Sequence, residues 1–167
     1  MAYMGEVDNG DGSTDTFFLI DHAVGKNAGN WWADIQIVQY LIRNIYQMNA
    51  FEYNAGCWGV SEVTKNDIYD LPNPPEDYRK ISKTIKWIEY FQADALLYNA
   101  YQIVNDGRVD AYSFEKLRGR KIYTIYLMNL IYQESCKSLG FENYADYALG
   151  DPALGTFAKA SIRQRAR

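Results

Sequence analysis

The chain is poor in the residues that most often carry catalysis and metal binding. Its 167 residues include one histidine, His22, and two cysteines, Cys57 and Cys136. A zinc site draws three or four ligands from a close set of His, Cys and acidic side chains. One histidine and two distant cysteines, with no CxxC, do not supply one. No metal and no cofactor is expected. Two cysteines are also too few for a disulfide scaffold; both read as small buried hydrophobes, with a Cys57–Cys136 pair the alternative in an oxidising compartment.

Long apolar runs are missing as well. None approaches the roughly 18 residues of a membrane span. Met1 to Asp15 has neither a basic stretch nor an apolar core, so no conventional secretory signal is expected there. That leaves a cytoplasmic location or export by another route. Positive charge is in deficit, with 17 Lys and Arg against 21 Asp and Glu and a net charge of −4. Nucleic-acid binding needs a basic patch to neutralise phosphates. The single concentrated basic run, Lys159, Arg163, Arg165 and Arg167, reads as a solvated helix end that complements the helix dipole. A nucleic-acid role is therefore excluded from the expectation.

Apolar and aromatic residues are abundant. Hydrophobic residues make up 48% of the chain and aromatics 16%, with 15 tyrosines. That composition fills the core of one domain of this length. Tyrosine joins an apolar body to a polar tip and suits the rim of a small core or a ligand-facing surface.

Along the chain, residues 5–15 (GEVDNGDGSTD) have turn or loop composition. Asp8, Asp11 and Asp15 do not fall at calcium-loop spacing. Phe17 to Ile20 reads as a brief strand or a segment packed on the core. A first helix is expected from near Asn30, as N-cap, to near Met48, with Ile35, Val38, Ile42 and Ile45 as its apolar stripe. Residues 49–80 read as irregular, with prolines at 72, 74 and 75. A second helix starts near Ser82, buries Ile85, Ile88, Phe91 and Ala95, and runs to about Ile103. Asn105 to Arg108 form a tight turn. A third helical region follows Ser113, with Glu115 near its start, and its main helix restarts around Gly119. Ile122, Ile125, Met128, Tyr132 and Cys136 share one face, and Gly140 is the C′ residue. Short helices are expected over 143–149 and 153–163.

Three of these stretches fall in a familiar order. Residues 24–44 (VGKNAGNWWADIQIVQYLIRN) place Asp34, Ile35, Ile37, Val38, Gln39 and Ile42 after a Gly/Asn loop. Residues 82–92 (SKTIKWIEYFQ) place Thr84, Ile85, Ile88, Phe91 and Gln92 at matching intervals. Residues 106–110 (DGRVD) form an Asp-Gly-x-Val turn. In this order the stretches resemble bacterial peptidoglycan-binding-like domains, including stand-alone members associated with contractile (type VI) secretion systems. The resemblance covers about residues 24–118. It implies a mainly α fold: a three-helix core with a long irregular insertion at 49–80 and a C-terminal helical extension over 119–167. A loop-rich segment, 1–23, precedes it. The family's short turn between its first two helices is replaced here by 49–80, and 119–167 has no counterpart in the minimal domain. Ile35, Val38, Ile85, Ile88 and Phe91 would close the core. Gln39 and Gln92 would bond loop backbone. Asp106 would fix its own turn while Gly107 takes positive φ.

Reactive chemistry is thinly represented. A cysteine hydrolase would need Cys57 or Cys136 beside His22. GCWG at 56–59 loosely suggests such a nucleophile, but the Cys-before-His order of papain-like and wall-cleaving enzymes is reversed here. A glycosidase would need two carboxylates at fixed separation, and Glu52, Glu62, Glu76 and Glu89 come without a flanking motif. Recognition asks less of the sequence. Aromatic faces stack on carbohydrate C–H surfaces, and Arg pairs with carboxylates. Trp31, Trp32, Trp58, Trp87, Tyr90 and Arg108 are the candidate binding residues. Trp31 and Trp32 are adjacent, so one helix cannot bury both on the same side. The expected function is non-catalytic recognition of peptidoglycan or of a secreted or periplasmic partner protein. The alternatives are an effector chaperone or immunity-type interaction protein, and a small wall hydrolase built on Cys57 and His22.

Overall fold

The computed structural model describes residues 1–8, 12–48, 50–51, 81–97, 99–111, 122–141 and 144–165. Among these the fold is mainly helical. Five helices are present: α1 (Trp32–Gln47), α2 (Ser82–Leu97), α3 (Thr124–Ser138), α4 (Tyr144–Gly150) and α5 (Thr156–Arg165). Two small antiparallel ladders accompany them. Strand β1 (Tyr3–Asp8) pairs with β2 (Thr14–Leu19), from Tyr3 opposite Leu19 to Asp8 opposite Thr14. Strand β3 (Val24–Gly25) pairs with β4 (Arg108–Val109).

Helix α1 is buried nearly all round, polar residues included, and it becomes the centre of the fold. Thirteen of its 16 residues are buried, far more than one stripe. A helix buried on all sides needs neighbours on all sides. Helices α2, α3 and α5 supply them, with β3 at its N-terminal end.

Polar residues caught on α1 are each turned to a different neighbour. Gln39 donates to Thr84 Oγ1 of α2 at 2.8 Å. The Gln36 carbonyl accepts from Ala158 N of α5 at 2.9 Å. The Tyr40 hydroxyl meets that of Tyr132 on α3 at 3.0 Å and donates to Asp151 at 3.1 Å. The Tyr46 hydroxyl donates to Asp94 of α2 at 2.9 Å. Buried polar groups are costly unless satisfied, so these bonds fix the rotation of α1 against each partner.

The hairpin joins the same core. Asn129 of α3 donates to Phe18 O and accepts from Phe18 N, both at 2.7 Å, and so clamps β2 as another strand would. Phe17 and Phe18 are fully buried. Ser161 of α5 donates to Ala2 O at 2.6 Å.

Several expectations need correction. Residues 5–15 are largely strand rather than loop. Their turn-rich composition hid a period-two pattern in which Val7 is buried between exposed Glu6 and Asp8. Residues 9–11 lie outside the described residues. Asn30 does not cap α1. Its φ is +54°, and Trp31 holds the N-cap position without a side-chain cap bond. Helix α2 ends at Leu97, not near Ile103, and the chain turns through Ala100 at φ +56°. Gln39 bonds a threonine side chain rather than loop backbone. The core is not three helices alone, since α5, α4 and the hairpin share one cluster with α1 to α3. The helix start proposed at Ser113, with Glu115 and Gly119, lies outside the described residues. Gly140 does take the C′ conformation, with φ +85°.

The turn at 106–108 behaves as its sequence suggested. Asp106 Oδ1 accepts from Arg108 N at 3.0 Å, and Gly107 has φ +72°. Buried Gln92 reads the turn from α2. Its carbonyl accepts from Asp106 N at 3.1 Å and Gly107 N at 2.8 Å, and its amide donates to Arg108 O at 2.8 Å. Truncating Gln92→Ala leaves these groups unpaired under cover. We expect a loss of about 3 kcal/mol in urea unfolding with an unchanged m-value. A loss below about 0.5 kcal/mol would show that the clamp contributes little.

Candidate functional site

The segment between β2 and α1 is built to present side chains. Asn30 staples it: its carbonyl accepts from Gly25 N at 2.7 Å, and its amide donates to Gly25 O and Ala28 O, both at 3.1 Å. Lys26 N donates to Gly107 O at 2.9 Å. Gly25 has φ +116°, and a Cβ there would run into the Gly107 carbonyl, so the close approach of β3 to β4 requires glycine. The segment is held at both ends although its composition is that of a loose loop.

Trp31 projects from it with 55% of its surface exposed, the largest exposed aromatic among the described residues. Its ring stacks on His22, with centroids 4.8 Å apart and planes 27° from parallel. His22 Nδ1 lies 3.3 Å from Asp34 Oδ2. Trp32, half-buried, stacks instead on Phe157 of α5 at 6.1 Å and 26°. Phe157 is itself 53% exposed. Consecutive residues thus start two separate aromatic stacks, as helical rotation between neighbours requires.

Asp34 is the electrostatic centre. It is fully buried in the first turn of α1, where a negative charge complements the helix dipole. Its Oδ1 has no hydrogen-bond partner among the described residues. Its Oδ2 also lies 3.3 Å from the Met1 amino group. Burial pushes its carboxyl above the ordinary 3.8, opposed by the nearby ammonium and His22.

On the other side of the segment lies Arg108. Its Nε donates to Asp110 at 2.6 Å and its terminal nitrogen to Asn27 O at 2.9 Å. Beside it opens a cleft of about 220 Å³ lined by Val104, Asp106, Arg108, Asp110, Ile122 and Tyr123. It combines a tyrosine ring, apolar side chains, two carboxylates and a guanidinium.

The candidate residues therefore separate. Trp31 stands in the 20–31 segment and Arg108 bonds it through Asn27 O, whereas Trp32 turns to Phe157 of α5. Trp87 and Tyr90 do not join them. Each is 1% exposed, and they pack on one another at 5.2 Å within the core around Tyr46. They present no face to a ligand, because α2 turns that side toward α1. Trp58 lies outside the described residues, as do Cys57, Glu52, Glu62 and Glu76. Glu89 sits against Gly107. Cys136 is fully buried, and burial pushes its thiol up, away from the thiolate a nucleophile needs. Two participants escaped the sequence reading. Asp34 was named for its place in the 24–44 stretch and not as a site residue. Phe157 reaches Trp32 from α5, and no local pattern announces such a contact.

Among the described residues no group of three or more His, Cys, Asp or Glu could hold a metal ion. No described helix is long and apolar enough to cross a membrane. Comparison with protein-family models, curated proteins and solved structures finds no match.

Two measurements separate surface from core. Trp31→Ala should change unfolding free energy by no more than about 0.5 kcal/mol, whereas Trp87→Ala should cost about 3–5 kcal/mol. Asp34 supplies a pH test. A carboxyl raised in the folded state binds its proton more tightly there than in the unfolded chain, so folding stability falls as pH rises from 3.8 through the raised value. The stability of Asp34→Asn relative to the parent should therefore improve across that window. A pH-independent difference would contradict the assignment.

Proposed function

We propose that the protein is a non-catalytic recognition module of the peptidoglycan-binding-like type, with Trp31, Trp32 and Arg108 on its ligand-facing side. One observation carries the reading. The three stretches that resemble that family, far apart in sequence, meet in space. The first supplies β3, which pairs with β4 from the third, and the second supplies Gln92, which holds the same turn. Chance matches to a short pattern have no reason to share one hydrogen-bonded corner.

The surface chemistry agrees with recognition. An exposed indole, a ring-lined cleft and an Arg–Asp pair are what a glycopeptide with sugar faces, hydroxyls and carboxylates would use. Catalysis has less support: the described thiol is buried, and His22 is engaged by Trp31 and Asp34.

A second reading is favoured by the exposed Trp31 and Phe157. Exposed aromatics are enriched where proteins dock, so a secreted or periplasmic protein partner, as for an effector chaperone or immunity-type protein, fits a surface that carries such rings.

Co-sedimentation with purified sacculi tests the first reading. The protein should pellet with sacculi, and Trp31→Ala or Arg108→Ala should reduce the bound fraction at least about tenfold, the equivalent of 1.4 kcal/mol. No pelleting between pH 5 and 8 would overturn wall recognition. A single stoichiometric partner in a pull-down, lost on Trp31→Ala, would favour the second reading.

A further inference from the structure

Between the hairpin, α3 and α4 lies a second cleft, of about 430 Å³. Small-molecule pockets span roughly 300–1,000 Å³. Its polar wall is made by Thr14, Asp15 and Thr16 of β2, Gln133 of α3, and Tyr144 and Asp146 of α4. Met4 and Leu149 add apolar surface. None of these residues belongs to the 24–118 stretch on which wall recognition was proposed, and none lines the cleft beside Arg108. Two of the polar side chains are more than nine-tenths buried. Gln133, 8% exposed, donates from Nε2 to Asp15 Oδ1 at 3.2 Å. Tyr144, 7% exposed, has its ring held edge-on by Phe18 and by Tyr132, each at 5.8 Å. The Tyr144 hydroxyl has no hydrogen-bond partner among the described residues. Burial, then the nearby Asp15 and Cys136, push its pKa up, so it stays a neutral group that both donates and accepts. A covered donor without an acceptor costs more than a made bond returns, so its presence beside a cleft points to a group supplied from outside.

We infer that the cleft between β2, α3 and α4 binds a neutral sugar ring. The lining sets this class. Its described residues include two carboxylates and no basic side chain. A ligand here donates to Asp15 and Asp146 and accepts from Tyr144. A hydroxyl does both, whereas an ammonium only donates and an anion only accepts, facing two like charges. Neighbouring ring hydroxyls meet these groups together, and the Thr14 and Thr16 hydroxyls extend the same pattern. Met4 and Leu149 cover the ring's C–H surface. The Tyr144 hydroxyl is screened from solvent, so a ligand reaches it through a shift of a lining side chain. Met4, unbranched and half-buried, is suited to that shift.

Titration of the full chain with the methyl glycosides of glucose, mannose and galactose tests this, read from methionine methyl and tryptophan indole NMR signals. At least one glycoside should shift the Met4 methyl saturably, with a Kd on the order of millimolar. The methyl of fully buried Met128 is the internal reference, and the Trp31 indole should stay in place. Sodium glucuronate and n-butylammonium chloride, at matched ionic strength, should each bind at least about tenfold more weakly than that glycoside. Tyr144→Phe should weaken sugar binding about tenfold while its urea midpoint stays level or rises, since the hydroxyl it removes has no partner to lose. Asp15→Asn keeps an acceptor for Gln133 and should weaken sugar binding to a similar degree. The proposal is overturned if none of the three glycosides moves Met4, or if only the Trp31 indole responds. Glucuronate or butylammonium binding as tightly as the best glycoside would refute the ligand class. Undiminished binding by Tyr144→Phe, or a lowered urea midpoint, would remove the role given to its hydroxyl and the proposal with it.

Discussion

The buried amide of Gln92 ties α2 to the turn on which the β3–β4 corner is built. It faces a turn whose backbone would otherwise lose water without gaining a partner, and it satisfies both the donors and the acceptor of that turn. The turn then presents Gly107 and Arg108 to the 20–31 segment, which closes on them through β3 and Lys26. Remove the amide and two loops lose their shared reference. Trp31 and Arg108 stand on those loops, so their relative placement is inherited from a buried group on α2 that never touches solvent. Binding surfaces on loops commonly borrow precision from a rigid scaffold in this way.

The helices α1 to α3 were legible because apolar residues recur at helical spacing along them, and the 106–108 turn because Asp-Gly chemistry is local. Positions such as Ile88, Phe91, Met128 and Tyr132 are buried as their spacing implied. What was not legible depends on distance or on competition. The hairpin was masked because Gly, Asp and Asn dominate residues 5–15, and composition outweighed the weak alternation around Val7. Asn30 looked like a cap because Asn favours caps, yet it equally favours left-handed turns, and the pull of the β3–β4 pairing decided between them. Trp87 and Tyr90 looked like binding aromatics because nothing in one sequence says which side of α2 is inward. The candidate surface was half visible. Trp31, Trp32 and Arg108 were named from residue type, whereas the acid beneath Trp31 and the ring beside Trp32 came only from tertiary placement.

The site also shows how an acidic protein tolerates a fully buried carboxylate. Asp34 lies at the positive end of α1 and faces both an imidazole and an ammonium. Both oppose the desolvation that burial imposes, which still prevails. The remaining elevation of its carboxyl measures what they leave uncompensated.

The bond between Asn129 and Phe18 spans 111 positions, and that between Ser161 and Ala2 spans 159. A ribosome delivers Phe18 long before Asn129, and Ala2 long before Ser161. The first strands must therefore wait, with two phenylalanines uncovered, until α3 and then α5 have been synthesised. Closure of this domain follows the synthesis of α5, and its aggregation-prone interval falls between the exit of the hairpin and the arrival of that helix.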